Sequence, residues 1–246
     1  MIGTRYHAND TYAELLKQKS VVPRLYPATV DGTFEGEPVL LSREALNEKR
    51  RDMGSFVFSC QMLQNPLADK SDGFRPEWLR YWEPRREFWE PMNRVIFVDP
   101  AGSRKKDSDY SVFCVVGWNT DRNVYLIHGE RIRANLTERT ATLFRLVREF
   151  NPILVGYERY GMQADIEHIQ SEMRRVNYYF GIREMGGQTP KPDRIRRLIP
   201  WFEQGRLFLP VQSTFRDNEG SLRNFTREFV EEEYDISLRF RGSKNQ

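Results

Sequence analysis

The chain has few of the residues that build soft-metal and disulfide sites. Its 246 residues include two cysteines, Cys60 and Cys114, and three histidines, His7, His128 and His168. They are scattered, without the close pair spacing of a zinc site, so no zinc centre or disulfide framework is expected. The thiols read as free groups in a reducing compartment. Long hydrophobic runs are also missing. No apolar stretch approaches the roughly 18–20 residues that a membrane-spanning helix needs. The start, Met1-Ile2-Gly3-Thr4-Arg5, lacks the apolar core of a signal peptide. The expectation is a cytoplasmic protein with no membrane partner. Nowhere does a Gly-x-x-x-x-Gly-Lys-Ser/Thr loop occur, and without it nucleotide phosphates cannot be cradled in the usual way.

What remains is the composition of a soluble globular protein, 39% hydrophobic, 30% charged and with a mean hydropathy of −0.68. The length allows one good-sized core or two small ones. The net charge of +3 permits nucleic-acid binding without demanding it. Its distribution says more. Lys191 to Arg206 holds five basic and two acidic residues, and Arg216 to Asp235 holds seven acidic and three basic ones. A basic stretch followed by an acidic one suits a polyanion held near metal-binding carboxylates; two solvated helix faces explain the same charges.

Three regions follow from the pattern: residues 1–22, 23–90 and 91–246. The first holds a short helix, Asp10 to Lys17. The second is rich in Pro, Gly and aromatics, with one helix from Ser42 to Gly54, where Ser42 is the N-cap and Gly54 the residue after the end. The third has an α/β rhythm. Val95 to Val98 is an apolar run that fits a central strand buried on both faces and ends in Asp99. Tyr110 to Trp118 and Val124 to Glu130 form a hairpin. A helix from Thr137 to Phe150 follows, capped by Asn135 with Glu138. Ile153 to Tyr157 is a buried strand ending in Glu158. Met162, Ile166, Ile169, Met173 and Val176 mark an amphipathic helix. Tyr178 to Ile182 is a further strand. A helix from Pro192 to Gln204, a short strand Arg206 to Leu209 and a last helix Ser221 to Tyr234 complete the chain. Three antiparallel strands followed by parallel ones predict an α/β fold, a mixed sheet flanked by helices.

Two acids stand out. Asp99 and Glu158 each follow an apolar strand, and sites in open α/β sheets form beyond the carboxyl ends of strands. Neighbouring strands lie about 4.8 Å apart, so adjacent strands would let the two carboxylates share a hard divalent cation. Taken singly, each acid reads as well as a solvated loop residue or a cap.

Several segments resemble the large subunit of phage terminases. Val95-Ile96-Phe97-Val98-Asp99-Pro100-Ala101, with Ser108-Asp109-Tyr110-Ser111, looks like the first strand and hairpin of that family's nuclease. Gly156-Tyr157-Glu158-Arg159-Tyr160-Gly161 is similar to its second acidic motif. Lys191-Pro192-Asp193-Arg194-Ile195, with Gly205-Arg206-Leu207, resembles its Lys-x-x-Arg-Ile helix and following strand. Gly3-Thr4-Arg5-Tyr6-His7 resembles the end of its ATPase domain, and Gln61 to Pro66 the connector. The resemblance implies a ribonuclease-H-like nuclease at 91–246 that cuts double-stranded viral DNA during packaging, behind an ATPase remnant at 1–22 and a connector at 23–90. It implies two Mg²⁺ or Mn²⁺ ions and metal ligation and catalysis by Asp99 and Glu158; Asp109 is a candidate further metal ligand, though it reads more readily as a plain hairpin-start residue. It implies DNA binding by Lys191, Arg194 and Arg197, with Lys191 and Arg194 contacting phosphates or steadying the acids; surface charge on an amphipathic helix explains these two equally well. The terminase small subunit and the portal protein are the implied partners.

Two departures from the family pattern matter. With no phosphate loop, the motor ATPase is absent or on another polypeptide, and the amino end reads as a cut through a longer protein. The third acid, which the family takes from a C-terminal helix, is not matched. Phe229-Val230-Glu231-Glu232-Glu233-Tyr234 looks like its lead-in, but the chain continues into a basic, polar tail. An incomplete second metal site is expected; Glu231, Glu232, Glu233 or Asp235 could substitute, but each reads more readily as a solvated helix acid. A catalytically impaired fragment that only binds DNA or motor partners is the alternative. A different ribonuclease-H-like enzyme, such as a resolvase or transposase, is a third reading, disfavoured by the ATPase-like amino end.

Overall fold

The computed structural model describes residues 3–4, 11–19, 21–65, 75–101, 110–158, 163–186, 194, 197–217 and 219–231. The chain forms two compact units. One comprises Met1–Trp78, Pro192–Gln204 and Tyr234–Gln246, the other Leu79–Lys191 and Gly205–Glu233.

The first unit holds α1 (Thr11–Lys17), α2 (Arg43–Met53) and α3 (Ser55–Gln61). α2 starts where the sequence predicts: the Ser42 side chain accepts from the Ala45 N–H. Gly54 sits at φ +78°, a backbone that side chains rarely adopt, and a Cβ there would press on Pro200 at 2.9 Å. α3 turns the apolar run around Phe56 into a helix. Leu46, Phe58 and Leu63 make its small core, with Ala28, Phe34, Leu41 and Met62 packed around them. Within the helix expected over 192–204, the described residues show Arg194 helical, a turn at 197–198 and then a short helix α7 (Ile199–Glu203). Pro200 explains this. It has no N–H to donate and is tolerated only in a first turn, so the helix begins beside it. α7 joins this unit through the Glu203 carboxylate, which accepts from the Ser55 N–H at 3.0 Å.

The second unit is a seven-stranded sheet with helices. Its strands are β1 (Arg80–Trp82), β2 (Asn93–Asp99), β3 (Ser111–Trp118), β4 (Val124–Ile132), β5 (Leu154–Glu158), β6 (Ile182–Met185) and β7 (Leu207–Pro210), in the order β1-β7-β4-β3-β2-β5-β6. β3 pairs antiparallel with both β2 and β4, and every other pairing is parallel. The five strands β4-β3-β2-β5-β6 have the ribonuclease-H-like arrangement, so the predicted mixed α/β sheet is what the chain forms. The helices are a short α4 (Arg86–Trp89), α5 (Leu136–Phe150) and α6 (Gln163–Val176). α5 carries the expected capping box at Asn135 and Glu138.

Three expectations for this unit are corrected. β6 begins at Ile182, not Tyr178. Tyr178 and Phe180 instead pack their rings with Phe144 of α5. The last helix does not start at Ser221. A hairpin of β8 (Thr214–Arg216) and β9 (Leu222–Asn224) comes first, because Asp217 accepts from the Glu219 and Ser221 N–H groups and folds a turn. The helix then spans 225–231, with the Asn224 side chain accepting from Arg227 N. Finally, β2 is not buried on both faces. Ile96 is 0% exposed, whereas the adjacent Phe97 is 39% exposed.

Among the described residues, no helix is long and apolar enough to cross a membrane.

Candidate active site

The central strands alternate between two faces, and each face carries its own chemistry. α5 and α6 cover one of them. Ile96 and Val98 of β2, Phe113 and Val115 of β3, and Val155 and Tyr157 of β5 point into it and are all buried. Polar groups on this side are enclosed and bond to one another. Arg139, on the apolar stripe of α5, donates to Asp165 of α6 at 2.5 Å and to the carbonyls of Ala101 and Ala134 at 2.6 and 3.2 Å. Tyr157 donates to the same Asp165 oxygen at 2.7 Å. Burial first, then the Asp165 hydrogen bond and charge, pushes the Tyr157 phenol above its ordinary range. This knot fixes Tyr157, one residue before Glu158, and Ala101, two residues after Asp99. Its backbone tie is completed by Ala101 N–H donating to the buried Ser111 hydroxyl at 3.0 Å. A second enclosed group lies on β4. Glu130 accepts from Arg145 of α5 at 2.6 Å and lies 2.9 Å from His128. Burial raises the Glu130 pKa, but the hydrogen bonds from His128 and Arg145 outweigh it and hold the carboxyl below its ordinary value.

The opposite face carries the acids. β2 and β5 are adjacent and parallel, with Val98 level with Tyr157. One step further stand Asp99 and Glu158, the last residues of their strands, one exposed and the other half-buried. Level residues on parallel strands project to the same face, with strands about 4.8 Å apart, so the carboxylates share one face and one rim. Neighbours identify that face. Phe97 is level with Gly156, and a Cβ on Gly156 would meet the Phe97 ring at 3.1 Å and Met185 Sδ at 2.1 Å. Cys114 is paired with Phe97. Burial, with a smaller push from the Asp99 carboxylate, raises its thiol to about 12. The register therefore lays one row across the rim: Arg131, Val112, Asp99, Glu158 and Met185. The helix at 225–231 lies on this side too, since a Cβ on Gly129, level with Cys114, would strike the Phe225 ring at 2.1 Å.

The predicted site residues fall as follows. Asp99 and Glu158 are brought together. Asp109 and Lys191 lie outside the described residues, as do Glu232, Glu233 and Asp235. Glu231 ends the described helix and pairs with Arg227 at 2.8 Å. Arg194 and Arg197 are half-buried and exposed respectively, and both belong to the first unit, not to the sheet. Among the described residues, no three or more His, Cys, Asp or Glu side chains are grouped to hold a metal ion.

Sequence reasoning missed Arg139 and Asp165. A signal existed: each precedes a buried residue, Leu143 and Ile169, by four positions, and so sits on an otherwise apolar helix stripe. Tyr110, Arg131 and Arg133 were missed as well, because only the strand register brings them to the acidic rim. The first unit also holds a cavity of about 470 Å³ whose lining includes Phe34, Arg50, Arg75, Trp78 and Glu203. Its two arginines lie over the Phe34 and Trp78 rings.

No protein-family model and no curated protein sequence matches the chain. Solved structures do match. The large terminase nuclease of the thermophilic phage G20c, with bound magnesium, is 15% identical, with 60% of this chain and 83% of that one covered, at a TM-score of 0.40. The large terminase of bacteriophage HK97 is 13% identical, with 89% of this chain but only 57% of that one covered, at a TM-score of 0.37. The fowlpox virus Holliday junction resolvase is 17% identical, with 45% of this chain and 74% of that one covered, at a TM-score of 0.29.

Proposed function

We propose that the second unit is a divalent-metal-dependent endonuclease that hydrolyses phosphodiesters of double-stranded viral DNA during genome packaging. One observation carries the reading: Asp99 and Glu158 end level on neighbouring parallel strands, on the same face of a ribonuclease-H-like sheet. The packaging context rests on the resemblance of the sequence motifs to terminase large subunits, and so do the expected partners, a terminase small subunit and a portal protein.

The donor set fits Mg²⁺ or Mn²⁺. Both groups are hard oxygen donors at a solvent-facing rim. Mg²⁺ is commonly held by one or two carboxylates, with its other positions left to water and substrate phosphate. The nearby Cys114 is a soft thiol, a ligand type poorly suited to Mg²⁺ or Mn²⁺. A second ion calls for another acid, and Asp109, Glu231, Glu232, Glu233 and Asp235 are the candidates in the sequence. Bound there, the ions would supply Lewis-acid polarisation of the phosphodiester and a lower pKa for the attacking water. The protein's part is to hold the two carboxylates level. The knot around Arg139 and Asp165 anchors both strand ends from beneath.

A second reading has one observation in its favour. The third acid that the resemblance implies is not matched in the sequence after Phe229, which suits a chain that binds DNA without cutting it. Nicking of supercoiled plasmid in Mg²⁺ and in Mn²⁺ separates the two. The nuclease reading expects nicking that Asp99→Asn and Glu158→Gln each reduce about a hundredfold or more, the size of several kcal/mol of transition-state stabilisation. Wild-type protein that binds DNA yet leaves the plasmid intact in both metals favours the second.

A further inference from the structure

The cavity of the first unit has a lining that its fold does not require. Only Gly54 separates α2 from α3. Arg50, in the last turn of α2, and Ser55 and Ser59, one helical turn apart in α3, line the same space of about 470 Å³. The two serines are 5% and 7% exposed. They flank Phe58 on the buried face of α3, where a packed helix carries apolar side chains. Among the described residues, neither hydroxyl makes a hydrogen bond, although the Ser55 backbone N–H donates to Glu203 at 3.0 Å. A buried hydroxyl left unbonded weakens a fold, and alanine is the better helix former. Two such hydroxyls on one cavity are accounted for by a guest that bonds to them.

Arg50 supplies charge. Its guanidinium carbon lies 4.1 Å from the Phe34 ring centroid. Arg43 shares that ring at 5.6 Å but donates to the carbonyls of Phe34 and Gly36. Arg50 makes no such bond, and no acid pairs with it among the described residues. The ring braces the guanidinium and leaves its edge of N–H donors for another acceptor. The Phe34 ring in turn meets Phe58, next to Ser59, at 5.6 Å. The cavity therefore has a cationic end at Arg50 and an acidic end where Glu203 meets Ser55.

A phosphate matches the first end. It takes a fork of N–H bonds from one guanidinium and keeps oxygens for a hydroxyl donor. Hydroxyl groups match the second, since a carboxylate accepts from them and a serine donates or accepts. Small-molecule sites span roughly 300–1,000 Å³, so the volume holds more than a bare ion, and Phe58 and Leu63 give it apolar walls.

We propose that the first unit binds a small phosphate ester that carries hydroxyl groups, with its phosphate at Arg50 and Ser59 and its hydroxyls at Ser55 and Glu203. This site goes beyond the nuclease reading and does not rest on it.

The test is isothermal titration calorimetry of the full chain in EDTA, with ribose 5-phosphate, adenosine monophosphate and inorganic phosphate as probes. At least one of the two esters is expected to bind, about tenfold or more tighter than inorganic phosphate. Arg50→Gln is expected to lose about tenfold or more in affinity for that ester. Ser55→Ala/Ser59→Ala is expected to weaken binding while raising the melting temperature, a pairing that a merely structural role does not produce. Arg175→Gln, an exposed partner of Glu172 on α6, changes neither. Should Arg50→Gln fail to fold by circular dichroism, the serine variant alone is read the same way. Wild-type protein that takes up neither ester at millimolar concentration overturns the proposal, as does inorganic phosphate bound as tightly as the esters. So does a serine variant that binds like the wild type. A 5′-phosphorylated DNA duplex that displaces the ester would assign the site to a DNA end and overturn it too. None of these results bears on Asp99 and Glu158, because the site lies in the first unit and EDTA keeps divalent ions from the acidic rim.

Discussion

The two faces of the central sheet are made by the same strands, residue by residue, yet they treat charge in opposite ways. On the helix-covered face Arg139, Asp165 and Tyr157 are buried and bonded together, and buried Glu130 is paired with half-buried His128. On the other face Asp99 is exposed and Glu158 half-buried, with Phe97 at 39% and Met185 at 41% exposure beside them. Enclosed charges need partners, so the first face is structural. The Asp99 and Glu158 carboxylates stand at an open rim, at the ends of two neighbouring parallel strands, where a cation or ligand from outside can reach them. The alternation of a strand, with its period of two, is what allows one segment to do both.

That contrast can be broken on the covered face first. Arg139→Met strands the Asp165 carboxylate in the core and is expected to cost about 3–5 kcal/mol, the usual result of removing one partner of a buried pair. Urea unfolding measures it, and a loss below about 1 kcal/mol would mean that the pair is solvated. The next comparison sets neighbours against each other. Ile96→Ala, at a position 0% exposed, is expected to cost about 2–5 kcal/mol, while Phe97→Ala, at 39% exposed, costs well under the 3–5 kcal/mol typical of a buried aromatic. Equal losses would remove the distinction between the faces.

Glu130→Gln sharpens the contrast through pH. The folded-state pKa of Glu130 lies below its ordinary value of 4.5. Its ion pairs therefore contribute stability that is fully present above the unfolded-state pKa and is lost as pH falls through the lower folded-state value. At pH 7 the variant is expected to be about 1–3 kcal/mol less stable, and the difference shrinks on acidification below about pH 4.5. A difference that stays constant into acid contradicts the ion-paired state.

Much of this was legible in the sequence because the relevant signals are local. The apolar runs before Asp99 and Glu158, the Asn135–Glu138 capping box and the 3.6-residue period of α6 each specify an element without help from the rest of the chain. The register of β2 against β5 was not local. It could be posed as a condition, that the two strands be neighbours, but only the fold answers it. Where local reading erred, a competing interaction had won. Pro200 set a turn at 197–198 within the helix expected over 192–204. The Asp217 turn drew Ser221 to Asn224 into a hairpin. Tyr178 and Phe180 took up packing against Phe144 in place of a sheet ladder. The grouping of Arg131 and Arg133 on Tyr110 was invisible for the same reason as the acid pair, since sequence distance says nothing of cross-strand neighbours.

The nuclease reading turns on whether Asp99 and Glu158 hold a divalent cation between them. Titration of the full chain with Mn²⁺, followed by the loss of the free-ion electron paramagnetic resonance signal, addresses this without any DNA or turnover. Wild-type protein is expected to bind Mn²⁺, with Asp99→Asn and Glu158→Gln each weakening it about tenfold or more, as expected when a carboxylate ligand is lost. Wild-type protein that takes up no Mn²⁺, or variants that bind it as tightly as the wild type, would contradict the account.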